Sequence, residues 1–278
     1  MLPVIRIGFL QLPAYGVMVF LGAVCYVLFL LFSLTRFEKK SPDVVKKTLL
    51  VSALSFVCLV LGAAFFNALF HSIAAGRLVI GGITWEGGVI VGFAAFLLFT
   101  RVLVKSERGN EAAHFSHVLP GLILAHGLGR VGCFLGGCCF GAITESPLGV
   151  VFPTGSPAAL AYPNTLTGQG SFPVLPTQLF EAVFEVLLFA LLVIFYRRLR
   201  NYNLVIYLVA YGVFRFVLEF FRGDDRGGTG SFLTPSQLMS LVLLVFGVLL
   251  LLVQRGVIFK KLTKRAHTGK ENAMCDTQ

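Results

Sequence analysis

Seven stretches of roughly 20 mostly apolar residues, each long enough to cross a bilayer as a helix, recur along this 278-residue chain. They lie near residues 13–34, 48–70, 84–104, 115–135, 177–199, 203–221 and 234–254. The expected fold is therefore all-α: a polytopic membrane protein of seven transmembrane helices. Only 13% of the residues are charged, about half the fraction of a soluble domain, so water is excluded as the solvent of most of the surface. The connecting loops are too short for a second folded domain. The fourth stretch is the most interrupted, by His114, His117, His126 and several glycines, as happens where a helix lines a polar cavity.

The basic residues set an orientation. Arg36, Lys39, Lys40, Lys46 and Lys47 follow the first span; Arg101, Lys105 and Arg108 the third; Arg197, Arg198 and Arg200 the fifth; Arg255, Lys260, Lys261, Lys264, Arg265 and Lys270 the seventh. These are 17 of the 23 Lys and Arg, which makes that side cytoplasmic by the positive-inside rule. The N-terminus is then outside and the C-terminus cytoplasmic. The same distribution removes the nucleic-acid reading of a net charge of +10, because the cations sit between apolar segments and not on one soluble face. No cationic region, short apolar core and small-residue cleavage site open the chain, so the first span is expected to act as its own insertion signal. The division expected is a membrane domain over 1–259, with an irregular outer cap at 136–176 that holds six prolines and no Lys or Arg, and a basic cytoplasmic tail over 260–278.

The six cations left on the outer side, Arg6, Arg77, Arg130, Arg215, Arg222 and Arg226, are all arginines. Orientation is indifferent to Lys or Arg, whereas a planar fork of donors suits phosphate or carboxylate. Arg6, Arg77 and Arg226 fit simple contact with lipid headgroups. The other three belong to a polar set at one depth. Tyr15 opens span one, Trp85 and Glu86 span three, Thr177, Gln178 and Glu181 span five, and Ser236 and Gln237 span seven; Arg130 closes span four, and Glu219 and Arg222 close span six. Ionisable groups in a membrane are costly and face partners or a water-filled cavity, so shared depth points to one outer cavity. Arg215, Glu219 and Arg222 fall at i, i+4 and i+7, one helical stripe, which serves equally as an ion ladder. His114 and His117, near the cytoplasmic end of span four, are expected at headgroup level.

The most specific string is His126-Gly-Leu-Gly-Arg-Val-Gly-Cys-Phe-Leu-Gly-Gly-Cys-Cys-Phe-Gly141. It resembles the prolipoprotein diacylglyceryl transferase signature, Gly-Arg-x-Gly-Asn-Phe-x-Asn-Gly-Glu-x-x-Gly. Four further segments resemble that family in order: Pro13-Ala-Tyr-Gly-Val-Met, Trp85-Glu-Gly-Gly-Val-Ile-Val-Gly, Leu175-Pro-Thr-Gln-Leu-Phe-Glu-Ala, and Tyr211 to Arg222. The resemblance implies transfer of a diacylglyceryl group from phosphatidylglycerol to the thiol of a lipobox cysteine in a secreted precursor, with no cofactor and no metal. It implies catalytic roles for Arg130, Arg215, Glu86 and Glu219, and substrate binding by Tyr15, Gln178, Gly132, Cys133, Arg222 and Gln237.

Four departures stand against it. Glu86 replaces the family's His-Gly-Gly histidine, Cys133 its first signature asparagine, and Gly136 and Cys138 its second asparagine and its glutamate. A glutamate half-buried in lipid can still accept a proton. Cys133, Cys138 and Cys139 leave several readings open: a nucleophile in a paralogue that serves another acceptor, a disulfide, or a metal site that lacks the nearby His of a zinc pattern. A transporter or a redox protein is the reading from another class, opposed by the absence of an evident internal repeat and of Cys-x-x-Cys spacing.

Overall fold

A computed structural model describes residues 4–7, 10–78, 80–81, 85–224 and 233–256; the side chains of 5–7, 10, 70, 71, 73–75, 85 and 86 lie outside the described set. The tail at 260–278, Arg226, and the side chains of Arg6 and Glu86 are therefore not described. The chain divides into two compact units: Met1–Asn203 with Phe221–Asp225, and Leu204–Phe220 with Arg226–Gln278.

The first unit opens on an antiparallel pair, β1 (Val4–Ile7) and β2 (Leu10–Pro13), where the sequence reading expects no strand. Four long helices follow: α1 (Ala14–Phe32), continued by a π-turn at Ser33–Phe37, α2 (Pro42–Ala75), α3 (Trp85–Leu103) and α4 (Glu111–Gly136). Then come the short α5 (Pro157–Ala161), α6 (Thr177–Ile194) and one turn, α7 (Tyr196–Leu199). The second unit holds α8 (Asn203–Leu218), apart from its first residue, and α9 (Pro235–Gln254). Among the described residues six helices are long and apolar enough to cross a membrane. The third expected span is also a helix, but its apolar stretch, Gly87–Leu103, is shorter.

Small residues set the packing, as expected where lipid is no less apolar than a leucine side chain and backbones gain by approaching closely. A Cβ on Gly22 would sit 2.9 Å from the Ala125 carbonyl oxygen, so α1 and α4 touch backbone to backbone. Gly88 meets Ala63 and the Leu59 carbonyl, which seats α3 on α2, and Gly127 meets Glu185 and Ala182, which seats α4 on α6. Within the second unit, Gly212 of α8 lies against Ser240 and Leu244, and Gly247 of α9 against Leu208 and Val209.

At the N-terminal end of α4 the structure encloses two histidines within the protein. His114 is fully buried, with Nε2 2.9 Å from the Thr48 hydroxyl, and His117 is buried with Nδ1 3.7 Å from Glu38. Both rings are interior because three loops meet there. Lys40 pairs with Glu107 at 2.6 Å, while Glu38 accepts from Arg200 and from the Tyr196 hydroxyl, each at 3.1 Å.

Candidate active site

The distal end of α4 carries His126, Arg130 and Cys133 at i, i+4 and i+7, and α6 carries Gln178, Glu181 and Glu185 on one facing stripe. The two stripes interlock. Arg130 Nη2 lies 3.0 Å from Glu181 Oε1, His126 Nδ1 lies 2.7 Å from Glu185 Oε1, and His126 Nε2 lies 3.9 Å from Glu181. Both carboxylates and Gln178 are fully buried. Isolated charges there would cost several kcal/mol each, so the pairing is what allows them inside.

Glu185 stands in the sequence on one stripe with Gln178 and Glu181, as its deeper, structural member; His126 is the member that sequence reasoning leaves out of the site, although its four-residue spacing to Arg130 signals it. Gln178 donates to the Cys138 carbonyl oxygen at 2.7 Å, and Thr177 to that of Cys139 at 3.0 Å, so the start of α6 holds the turn after α4. The Gln178 Oε1 atom is buried with no hydrogen-bond partner among the described residues. A buried acceptor in that condition points to a missing donor.

The turn itself follows from the Gly136-Gly137 pair. Gly137 adopts φ 71°, and the helix closes with Cys138 N–H on the Cys133 oxygen (3.1 Å) and Gly137 N–H on Phe134 (3.2 Å). These are the paired bonds of a Schellman ending, which sets the residue after the left-handed one against the residue five before it. Here those two are Cys138 and Cys133. Cys139 also turns left-handed, at φ 61°, and the three sulfurs lie within 4.8 Å of one another. Hydrogen bonds from Cys133 and Cys138, then the charges of Arg222 and Arg130, hold the Cys139 thiol below its ordinary pKa; hydrogen bonding to the other two thiols and burial push Cys138 up. Among the described residues no disulfide is formed. Gly132 explains how Tyr15 reaches this group: a Cβ there would lie 3.2 Å from the Tyr15 ring, and Tyr15 is within electrostatic range of Arg130 and all three thiols.

Arg222 departs from expectation. The sequence stripe places it on one helical face with Arg215 and Glu219, but α8 ends at Leu218 and tightens to a 3-10 turn over Glu219–Phe221. Residue 222 instead bridges to Gly141, and its guanidinium forks onto Asp224, Nε to Oδ1 at 2.8 Å and Nη2 to Oδ2 at 2.6 Å. Asp224 was not anticipated.

In the second unit the Arg215–Glu219 pair of the expected ladder is present at 2.7 Å. Arg215 also donates to Ser236 at 3.0 Å, and Glu219 accepts from the Thr234 hydroxyl at 3.0 Å. Arg215 is buried, and its Nη1 has no hydrogen-bond partner among the described residues. Gln237 closes a capping box on α9, with Oε1 3.0 Å from the Thr234 N–H and its own N–H 3.2 Å from the Thr234 oxygen. Glu86 lies in the first turn of α3, and its side chain is outside the described set.

Long apolar helices with ionised side chains and thiols gathered where two of them end define a polytopic membrane protein with a buried polar site. The chain belongs to the prolipoprotein diacylglyceryl transferase family, whose profile it matches over residues 3–253. It is similar to phosphatidylglycerol–prolipoprotein diacylglyceryl transferase 2 of Clostridium perfringens, with 36% identity over 55% of this chain and 54% of that protein. A phosphatidylglycerol–prolipoprotein diacylglyceryl transferase of Clostridium tetani is 34% identical over 61% of this chain and 63% of its own length. The alignments to these two thus span less than two thirds of each relative. A third, from Francisella tularensis subsp. tularensis, is 31% identical over 94% of both chains.

Proposed function

We propose that this protein moves the diacylglyceryl group of phosphatidylglycerol onto the thiol of a lipobox cysteine in a secreted precursor. The acceptor sulfur forms a bond to the glycerol carbon, the carbon–oxygen bond to phosphate breaks, and glycerol phosphate leaves; the thiol proton passes to a base. Thiolate is the competent nucleophile. The leaving phosphate needs cationic donors placed before the reaction. The observation that carries this reading is Arg130, a guanidinium held at the end of an apolar helix by the buried Glu181. Its neighbourhood is supplied by the string that resembles the family signature.

In this reading Arg130 and Arg215 are assigned to the phosphate, Glu219 orients Arg215, Tyr15 and Gln178 position the headgroup, and Glu86 takes the proton. The buried Arg215 Nη1 and Gln178 Oε1, both without partners among the described residues, support ligand roles for those two side chains. The seven-span topology, with the N-terminus outside and the site toward the outer leaflet of the inner membrane, belongs to the same proposal. The meeting of the loops that follow α1, α3 and α6 at Glu38 and Glu107 supports their lying on one side.

The test is lipidation of a precursor peptide by purified protein in phosphatidylglycerol micelles. Arg130→Ala and Arg215→Ala are each expected to lower kcat/KM by roughly 100-fold or more, the scale of losing one preorganised donor. Full-rate transfer by both variants would dismiss the assignment.

A further inference from the structure

We propose that Cys133, Cys138 and Cys139 form a binding site for a thiophilic d10 cation such as Zn2+ or Cu+, three thiolates closing on one ion. Nothing in the transferase reading calls for three sulfurs here, and two of the three stand where the family signature has an asparagine and a glutamate.

The convergence is built by the backbone. The Schellman ending brings residue 138 onto residue 133, with Cys138 Sγ 3.7 Å from the Cys133 carbonyl oxygen. Side chains of adjacent residues ordinarily diverge; the left-handed φ of 61° at Cys139 turns its sulfur back to the other two. The outcome is three sulfurs within 4.8 Å of each other. Ligands at a Zn–S distance of about 2.3 Å in trigonal or tetrahedral geometry have sulfurs about 3.8–4.0 Å apart, a closure that rotation about χ1 supplies.

The chemistry of the donor set favours soft ions, because thiolates without carboxylate or carbonyl oxygens select zinc and monovalent copper over calcium or magnesium. Cys133 is buried, and Cys138 and Cys139 are partly so, which shields the site while leaving an approach. Binding replaces three S–H bonds by three metal–sulfur bonds and releases up to three protons to solvent, with no redox step. The charges of Arg130 and Arg222 act on Cys139 and offset the surplus negative charge of a tris-thiolate complex.

The test uses the full chain, purified in detergent, reduced and stripped of metal, with Cd2+ as the probe. One Cd2+ per chain is expected, with a sulfur-to-metal charge-transfer band and three sulfur neighbours by X-ray absorption. Fewer than three sulfurs, or no charge-transfer band, overturns the proposal. Cys133→Ser, Cys138→Ser and Cys139→Ser should each weaken binding at least about ten-fold. A Cys25→Ser, Cys58→Ser, Cys275→Ser variant, which keeps only the cluster, should bind as the parent does. Equal binding by the variant lacking all three cluster cysteines is fatal to the idea. Displacement of the cadmium by Zn2+ or Cu+ supports the class of ion named, and displacement by neither rejects it. These readouts are independent of lipidation, so the metal site and the transferase reading stand or fall separately.

Discussion

Glu181 is the residue on which the interior of the first unit turns. It is fully buried, 3.0 Å from Arg130 and 3.9 Å from His126. Removing one partner of a buried pair leaves an uncompensated charge, which costs about 3–5 kcal/mol. Glu181→Ala is therefore expected to lower the thermal unfolding midpoint sharply, and the Arg130→Ala, Glu181→Ala double variant to lose less than the two single losses combined. Additive losses in that cycle would show that the pair is not coupled. Arg130, Gln178 and Glu181 were legible in the sequence as polar intruders in apolar runs. Asp224 was not, because it lies beyond the apolar run and its fork to Arg222 depends on the strand-like bridge to Gly141, which hydropathy does not report. The thiol cluster was half legible: the spacing was visible, but only the two left-handed residues, Gly137 and Cys139, bring the sulfurs together.

The helices themselves were legible to within a few residues, and the differences have local causes. Hydropathy starts the second span at 48, whereas α2 begins at Pro42. Its first turns are charged, and the Lys47–Asp43 pair at 2.7 Å is good helix that no apolar window detects. The same holds for α4, which begins at Glu111. Helix glycines give a test at this scale. A Cβ on Gly22 of α1 would sit 2.9 Å from the Ala125 carbonyl oxygen of α4, while a Cβ on Gly129 of α4 would meet nothing within 4 Å. Gly22→Ala should destabilise by about 1–3 kcal/mol through overpacking, because the obstructing atom is a carbonyl that cannot rotate away. Gly129→Ala should be neutral or stabilise by up to about 1 kcal/mol from helix propensity alone. Chemical denaturation of both variants checks the contrast, and similar midpoints would contradict the close α1–α4 contact. Under the proposed reaction, Gly129→Ala should still lower lipidation, since it fills open space one residue from Arg130.

At the scale of the whole molecule, the sidedness of the loops unites sequence and structure. The charge count groups the loops after the first, third and fifth spans on one side. The structure brings those loops together through Lys40–Glu107 and Arg200–Glu38, contacts between segments 67 and 162 residues apart in sequence. Their common side could be read from the sequence; the buried histidines at their meeting point could not, because His114 and His117 are enclosed by loops whose pairing no periodicity encodes. The cap after α4 has no Lys or Arg between 136 and 176, and its Leu166 and Leu160 side chains are exposed. Alkaline phosphatase, active only outside the cytoplasm, is expected to be active when inserted after Gly168 and inactive after Gly109. A fluorescent protein fused after Gln278 should mature and fluoresce. The opposite pattern would turn the molecule over, placing Arg130 and the thiols on the cytoplasmic face, and would overturn the outward-facing site on which the proposed transfer to exported precursors depends.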